Sequence, residues 1–295
     1  MKLSFEIVKR RKIWYILSLF IIIPGIISLL MQGLNLGIDF TGGNLMQIKF
    51  TQDVSSTEVR EVFSQHVEEG FSVQETEDNN YFVRTAVMSE EQNKALIADL
   101  SSKLGDNEVL RNEHVGPVIG KELTLKALYA LAIAAVLMVI YITFRFEFKF
   151  AIAAIIALLH DVFVILGAFS ILQLEVDSSF VAAVLTIVGY SINDTIVIFD
   201  RIRENLNITR KVEDIGNLVN NSLMQTLARS INTVLTTLFP LVALILFGGV
   251  TIKTFALALL IGIVSGCYSS IFIASSLWVD LRDVYTQKRM TKART

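Results

Sequence analysis

Charge is scarce in this chain: Asp, Glu, Lys and Arg make up 18% of its 295 residues. Ordinary soluble domains are about 25% charged and about 45–50% apolar. A hydrophobic share of 53% and a mean hydropathy of +0.57 exclude that class. Cysteine occurs once, as Cys267 within an apolar run, so an intrachain disulfide is excluded and packing is its plain role. The three prolines leave long apolar runs almost uninterrupted. The net charge of -2 makes no case for nucleic acid as a partner, since the basic residues sit in blocks that membrane topology explains. No cofactor and no metal site is expected.

Six apolar runs are present instead: Trp14–Met31, Leu125–Thr143, Ala151–Leu172, Phe180–Phe199, Ile231–Phe247 and Phe255–Trp278. Each reaches, or nearly reaches, the roughly 20 residues that a bilayer core about 30 Å thick requires. The first follows Lys9-Arg10-Arg11-Lys12, as a signal peptide would, but it is too long and no small-residue cleavage site follows before Gly37. It is expected to be an uncleaved span with Trp14 as its interface anchor. Most of the 26 basic residues fall in 1–13, at Arg145 and Lys149, in 200–229 and in the tail 279–295. The loops Gln173–Ser179 and Gly248–Ile252 have no Lys or Arg. This asymmetry predicts cytoplasmic termini and a multi-pass protein of the cell membrane.

Between the first two spans, residues 32–124 are polar and are expected outside. Asn44–Phe50 alternates as a strand, and Ser55–His66 reads as a helix with a Ser/Thr cap. Phe71–Thr76 and Tyr81–Val87 are strand-like, joined by a turn at Asp78-Asn79-Asn80. Ser89-Glu90-Glu91-Gln92 is a capping box opening a helix to Leu104, and Glu108–Val115 follows as a last strand. The order β-α-β-β-α-β predicts a ferredoxin-like α+β domain. The expected organisation is therefore 1–31 (N-terminus and first span), 32–124 (outer domain), 125–278 (five-span bundle with a helical loop at 200–229) and 279–295 (basic tail).

Several polar groups interrupt the bundle. Asp194 lies within the fourth run, six residues before Asp200 and so about 9 Å of helix rise inside it. A carboxylate in hydrocarbon costs roughly 2.5–3.5 kcal/mol on insertion scales, and such groups are functional by default. Arg229, Thr233, Thr236 and Pro240 share one face of the fifth span, flanked by Asn232 and Thr237, which makes Arg229 the expected partner of Asp194. His160-Asp161 lies near the middle of the third span. It is either part of a proton route or a fixed pair that packs helices. Ala258, Gly262, Gly266, Ser270 and Ala274 recur every four residues on the sixth span, as a helix-packing ribbon.

Four stretches together resemble the SecF family, the smaller subunits of the SecDF complexes of bacterial protein export. They are Gly37-Ile38-Asp39-Phe40-Thr41-Gly42-Gly43, Val115-Gly116-Pro117-Val118-Ile119-Gly120, His160-Asp161, and Gly189 to Asn205. The resemblance covers nearly the whole chain. It implies half of a twelve-helix unit of the resistance-nodulation-division (RND) type, with SecD as the other half. It also implies work beside the SecYEG channel and SecA, driven by the proton-motive force and acting on translocating polypeptide. Asp194, Arg229 and Thr233 match the positions tied to proton passage in that family. Gly42, Gly43, Gly116, Pro117, Gly120 and Gly189 belong to its motifs, and the glycines of the first two stretches are expected either to hinge or to make tight turns.

A proton-coupled exporter of small molecules or lipids on the same architecture is the alternative. An aspartyl enzyme would need two carboxylates sharing a proton. The Gly-x-Gly-Asp context of intramembrane aspartyl proteases is missing, so no enzymatic activity is expected.

Overall fold

The structure, a computed structural model, describes residues 6–67, 71–76, 79–209 and 214–282. The expected turn residue Asp78, part of the loop 200–229 and most of the basic tail lie outside the described residues. The chain divides into two units, one of residues 36–129 and one of residues 1–35 with 130–295.

The smaller unit contains α2 (Ile38–Thr41), β1 (Gly43–Phe50), α3 (Ser56–Ser64), β2 (Ser72–Thr76), β3 (Asn80–Thr85), α4 (Glu90–Leu104) and β4 (Asn107–Val115). Local chemistry sets these boundaries. Ser55 and Ser89 each accept from the amide three residues on, and the Glu58 and Gln92 side chains accept from the cap amides. Asn79 takes a left-handed φ of 55° between β2 and β3. The strands lie in the spatial order β2-β3-β1-β4 with every neighbour antiparallel. With two helices in the β-α-β-β-α-β order, this is the ferredoxin-like topology. Met46, Ile48, Phe50, Tyr81 and Val83 meet Val59, Phe63, Leu96 and Leu100 in its core. Gly43 allows the turn into β1: its φ is 125°, and a Cβ there would lie 2.4 Å from the carbonyl oxygen of Thr85.

The larger unit is helical. Its elements are α1 (Arg11–Met31), α5 (Pro117–Arg145, shared with the smaller unit), α6 (Phe148–Leu172), α7 (Ser178–Ile208), α8 (Ile215–Phe247) and α9 (Val250–Tyr268). A π-helical turn, Ser269–Ala274, continues α9 toward Arg282. Among the described residues, six helices are long and apolar enough to cross a membrane. They overrun the apolar runs: α5 begins at Pro117 rather than near Leu125, and α7 and α8 extend into the 200–229 loop. Asp177 and Asp214 cap α7 and α8 by accepting from the amides of Phe180 and Asn217.

Buried positions concentrate on α6, α7 and α9, the interior of the bundle. Gly25 of α1 and Gly167 of α6 meet so closely that a Cβ on either would lie 2.8 Å from the other's Cα. Ser28 and Ser170 share a hydrogen bond of 2.7 Å beside that crossing. On α9, a Cβ at Gly262 would meet the Ile187 side chain at 2.3 Å, and one at Gly266 would lie 3.0 Å from the Cβ of Ser191. The small-residue ribbon thus seats α7 directly on α9.

Candidate functional site

One turn of α7 carries Ser191, Asn193, Asp194 and Thr195. Helical spacing turns Ser191 and Thr195 into the bundle, where both are buried, while Asp194 faces α8. Ser230 of α8 donates a hydrogen bond of 2.6 Å to Asp194 Oδ1. Asp194 Oδ2 is buried and has no hydrogen-bond partner among the described residues. Leaving a buried polar atom unpaired costs about 1–3 kcal/mol, more when the group is charged. A carboxyl in that position is suited to take up a proton.

The direct Asp194–Arg229 pair expected from the sequence is not formed. Arg229 is exposed and makes no ion pair among the described residues, and the hydroxyl of its neighbour Ser230 reaches the carboxylate instead. The physical reason is angular: 100° of helix rotation per residue lets either Arg229 or Ser230 point at α7, and the shorter side chain fills the closer contact. Thr233 lies one turn further on, and its hydroxyl donates 2.9 Å to the Arg229 carbonyl. A cleft of about 20 Å³ opens beside Asp194; Ser191, Thr233, Thr237, Gly266 and Cys267 also line it. That volume is about the space of one water molecule.

His160 and Asp161 lie across α7 from this cleft, both buried. Asp161 Oδ2 accepts from Ser191 at 2.6 Å and from Ser269 at 2.7 Å. Its Oδ1 accepts from Ser265 at 2.7 Å and faces His160 Nδ1 at 3.0 Å. His160 Nε2 meets Ser18 Oγ of α1 at 3.0 Å. Thr195 and Ser270 share a hydrogen bond of 2.7 Å one turn away. The cage joins four helices, α1, α6, α7 and α9.

Sequence reasoning singled out the carboxylates, His160, Arg229 and Thr233. It missed Ser230, Ser265, Ser269, Ser18 and Tyr268. Single hydroxyls in apolar runs resemble small-residue filler, and only the i, i+4 spacing of Ser265 and Ser269 on the face next to the ribbon could have marked them. Of the motif glycines, Gly42 (φ 74°) and Gly43 need left-handed backbone, while a Cβ on Gly120 would lie 3.1 Å from Gly42 N and Phe40 O. These glycines form a packed junction. Gly116 and Gly189 have open space around the Cβ position, and Pro117 opens α5.

Comparison with known proteins places this chain among protein export membrane proteins. A family profile described as "Protein export membrane protein SecD/SecF, C-terminal" matches residues 96–284, and one described as "SecD/SecF GG Motif" matches residues 27–54. The chain is 50% identical over 286 residues to "Protein translocase subunit SecF" of Acidaminococcus fermentans, spanning 95% of this chain and 98% of that protein. It is 42% identical to "Protein translocase subunit SecDF" of Bacillus subtilis, spanning 94% of this chain and 38% of that longer one. The crystal structure of SecDF from Thermus thermophilus, titled a translocon-associated membrane protein, superposes with a TM-score of 0.88 at 35% identity. That superposition covers 96% of this chain and 40% of the solved one.

Proposed function

This chain belongs to the SecD/SecF family of protein export membrane proteins, and on that footing we propose that it is the SecF-type subunit of a protein translocase, assisting polypeptide export across the cytoplasmic membrane at the expense of the proton-motive force. Its partner is a SecD-type subunit. The fused SecDF relatives support this, because more than half of each of those longer chains lies outside the match. SecYEG, SecA and the emerging polypeptide are the other partners. Both termini face the cytoplasm and residues 32–124 lie outside, a topology that the basic blocks support.

The observation that carries the reading is Asp194, a carboxylate within a membrane helix with one oxygen bonded to Ser230 and the other buried and without a partner among the described residues. A proton arriving from outside neutralises Asp194 and removes the charge that Ser230 and the nearby Arg229 serve. One charge crossing the membrane potential supplies about 2.3 kcal/mol per 100 mV, enough to bias two packings of α7 against α8 that differ by a few kcal/mol. Thr233 lines the cleft through which the proton enters and leaves.

The test is Asp194→Asn in membrane vesicles with an imposed proton gradient. The gradient-dependent increment of preprotein translocation is expected to vanish while the gradient-independent rate remains. A wild-type increment in that variant overturns the proton role.

A further inference from the structure

The two sides of α7 are held differently. Toward α9, Ile187, Ser191 and Thr195 recur at i, i+4 and i+8 and meet Gly262, Gly266 and Ser270, which recur at the same spacing. A Cβ on Gly266 would lie 3.0 Å from Ser191 Cβ and 3.3 Å from its Cα, so α9 lies against the α7 backbone there. One turn on, Thr195 and Ser270 share a hydrogen bond of 2.7 Å, and Ser270 Oγ also lies 3.2 Å from the Ser191 carbonyl oxygen. Both hydroxyls are buried. Whichever of them donates along the 2.7 Å line, the pair is bonded. The turn that carries Asp194 is thus seated on α9 at its Ser191 end and tied to it at its Thr195 end.

Toward α8 the hold is looser. The Ser230 hydroxyl reaches Asp194 at 2.6 Å, and near the end of α7 Asn205 bonds Ser222 at 2.7 Å and Gln225 at 3.0 Å. α8 is mostly exposed, and Pro240 takes one backbone hydrogen bond out of it, which eases bending. We infer that Thr195 and Ser270 are positioning residues of the proton site, holding the Asp194 turn of α7 fixed on α9 so that α8 is the helix that answers proton uptake. Asp194 is one residue from Thr195, 100° around the helix, so the bond that fixes the rotation of the turn also fixes the direction of the carboxyl. A hydrogen bond to an ionised carboxylate is roughly twice as strong as a neutral one. A proton on Asp194 therefore weakens its tie to Ser230 of α8, while the hydroxyl pair between α7 and α9, neutral throughout, keeps its strength.

This inference rests on the reading of Asp194 as the proton carrier, and the experiment separates the two. The chain and its SecD-type partner are reconstituted in proteoliposomes, and proton uptake under an imposed gradient is followed with an interior pH dye. Thr195→Val keeps the side chain's shape and removes its hydroxyl, whereas Thr195→Ser keeps the hydroxyl. Uptake is expected to fall about 10-fold in Thr195→Val, the scale of one lost hydrogen bond, and to return in Thr195→Ser. Ser270→Ala repeats the loss from the α9 side and replaces Thr195→Val if that variant fails to assemble. Wild-type uptake without the hydroxyl pair, or equal losses in Thr195→Val and Thr195→Ser, overturns the positioning role. Genetically encoded spin labels in the same complex then show which helix moves, pairing Leu159 of α6 with Thr186 of α7 or with Leu235 of α8, all exposed positions. Between wild type and Asp194→Asn, an uncharged mimic of the protonated acid, the 159–235 distance is expected to shift and the 159–186 distance to stay. A constant 159–235 distance, or an equal shift in both, overturns the fixed mount. Full uptake in Asp194→Asn removes the reading beneath it.

Discussion

Asp194 takes its one described hydrogen bond from Ser230, and this changes what the neighbouring residues do. A hydrogen bond to a charged group is worth about 1.5–3 kcal/mol, so Ser230→Ala is expected to reduce gradient-driven translocation about 10- to 100-fold without unfolding the bundle. Translocation assays on vesicles with matched protein levels check this, and wild-type rates would return the supporting role to Arg229. Outside the membrane, Asp99 of α4 accepts from His66 at 2.9 Å and from Lys103 at 3.0 Å. The His66 bond, then that from Lys103, holds the Asp99 carboxyl below the usual carboxylate range. A carboxyl with a depressed folded-state pKa stabilises the fold above its unfolded-state pKa and loses that contribution as pH falls through the folded value. The protection of α4 amides in the full-length protein, corrected for the pH dependence of intrinsic exchange, should therefore fall on acidification, and Asp99→Asn should flatten that dependence. An unchanged profile in the variant would place the acid sensitivity elsewhere.

At the scale of elements, the small unit follows local chemistry closely. Its caps at Ser55 and Ser89 and its alternating strands are signals contained within a few residues, which is why the β-α-β-β-α-β order is legible in the sequence. Gly43 is the position where that unit is least forgiving. Gly43→Ala places a Cβ 2.4 Å from the Thr85 carbonyl oxygen at a φ of 125°. Backbone strain of this kind costs about 1–3 kcal/mol, and amide exchange across β1 and β3 of the intact protein should rise accordingly. Exchange confined to the turn itself would show that the strands absorb the change. The bundle was less legible. Its apolar runs marked six helices, but the runs stop where polar residues begin, whereas α5, α7 and α8 continue through them. The cage around Asp161 draws Ser191, Ser265 and Ser269 from two helices far apart in the chain, a coincidence that no local pattern announces. The π-helical turn Ser269–Ala274 is of the same kind: it lets Ser269 reach Asp161 while Ser270 reaches Thr195, so tertiary contacts decide its register.

For the whole molecule, the distribution of burial points to a surface that another membrane subunit covers. The most apolar windows of α6, α7 and α9 with its continuation are 56%, 39% and 61% buried, whereas those of α1, α5 and α8 are only 11%, 6% and 11% buried. Apolar exposure alone would suit lipid. The polar face of α8 does not. Its threonines are satisfied within the helix, Thr233 donating to Arg229 O, Thr236 to Asn232 O and Thr237 to Thr233 O, so they tolerate hydrocarbon. The side chains of Arg229 and Asn232 are exposed and make no hydrogen bond or ion pair among the described residues, and a guanidinium facing lipid costs at least about 2.5–3.5 kcal/mol. Those two side chains take polar contacts from outside the described residues, and the longer SecDF relatives carry additional sequence able to supply them. A photo-cross-linking residue at position 236 lies on that face, and one at position 231, about 140° around the helix, faces away. In membranes containing the SecD-type partner, cross-linking to it should be several-fold stronger from position 236 than from 231. Equal capture from both positions, or capture of lipid alone from 236, would mean that the polar face of α8 opens to water and that the partner packs on a different helix.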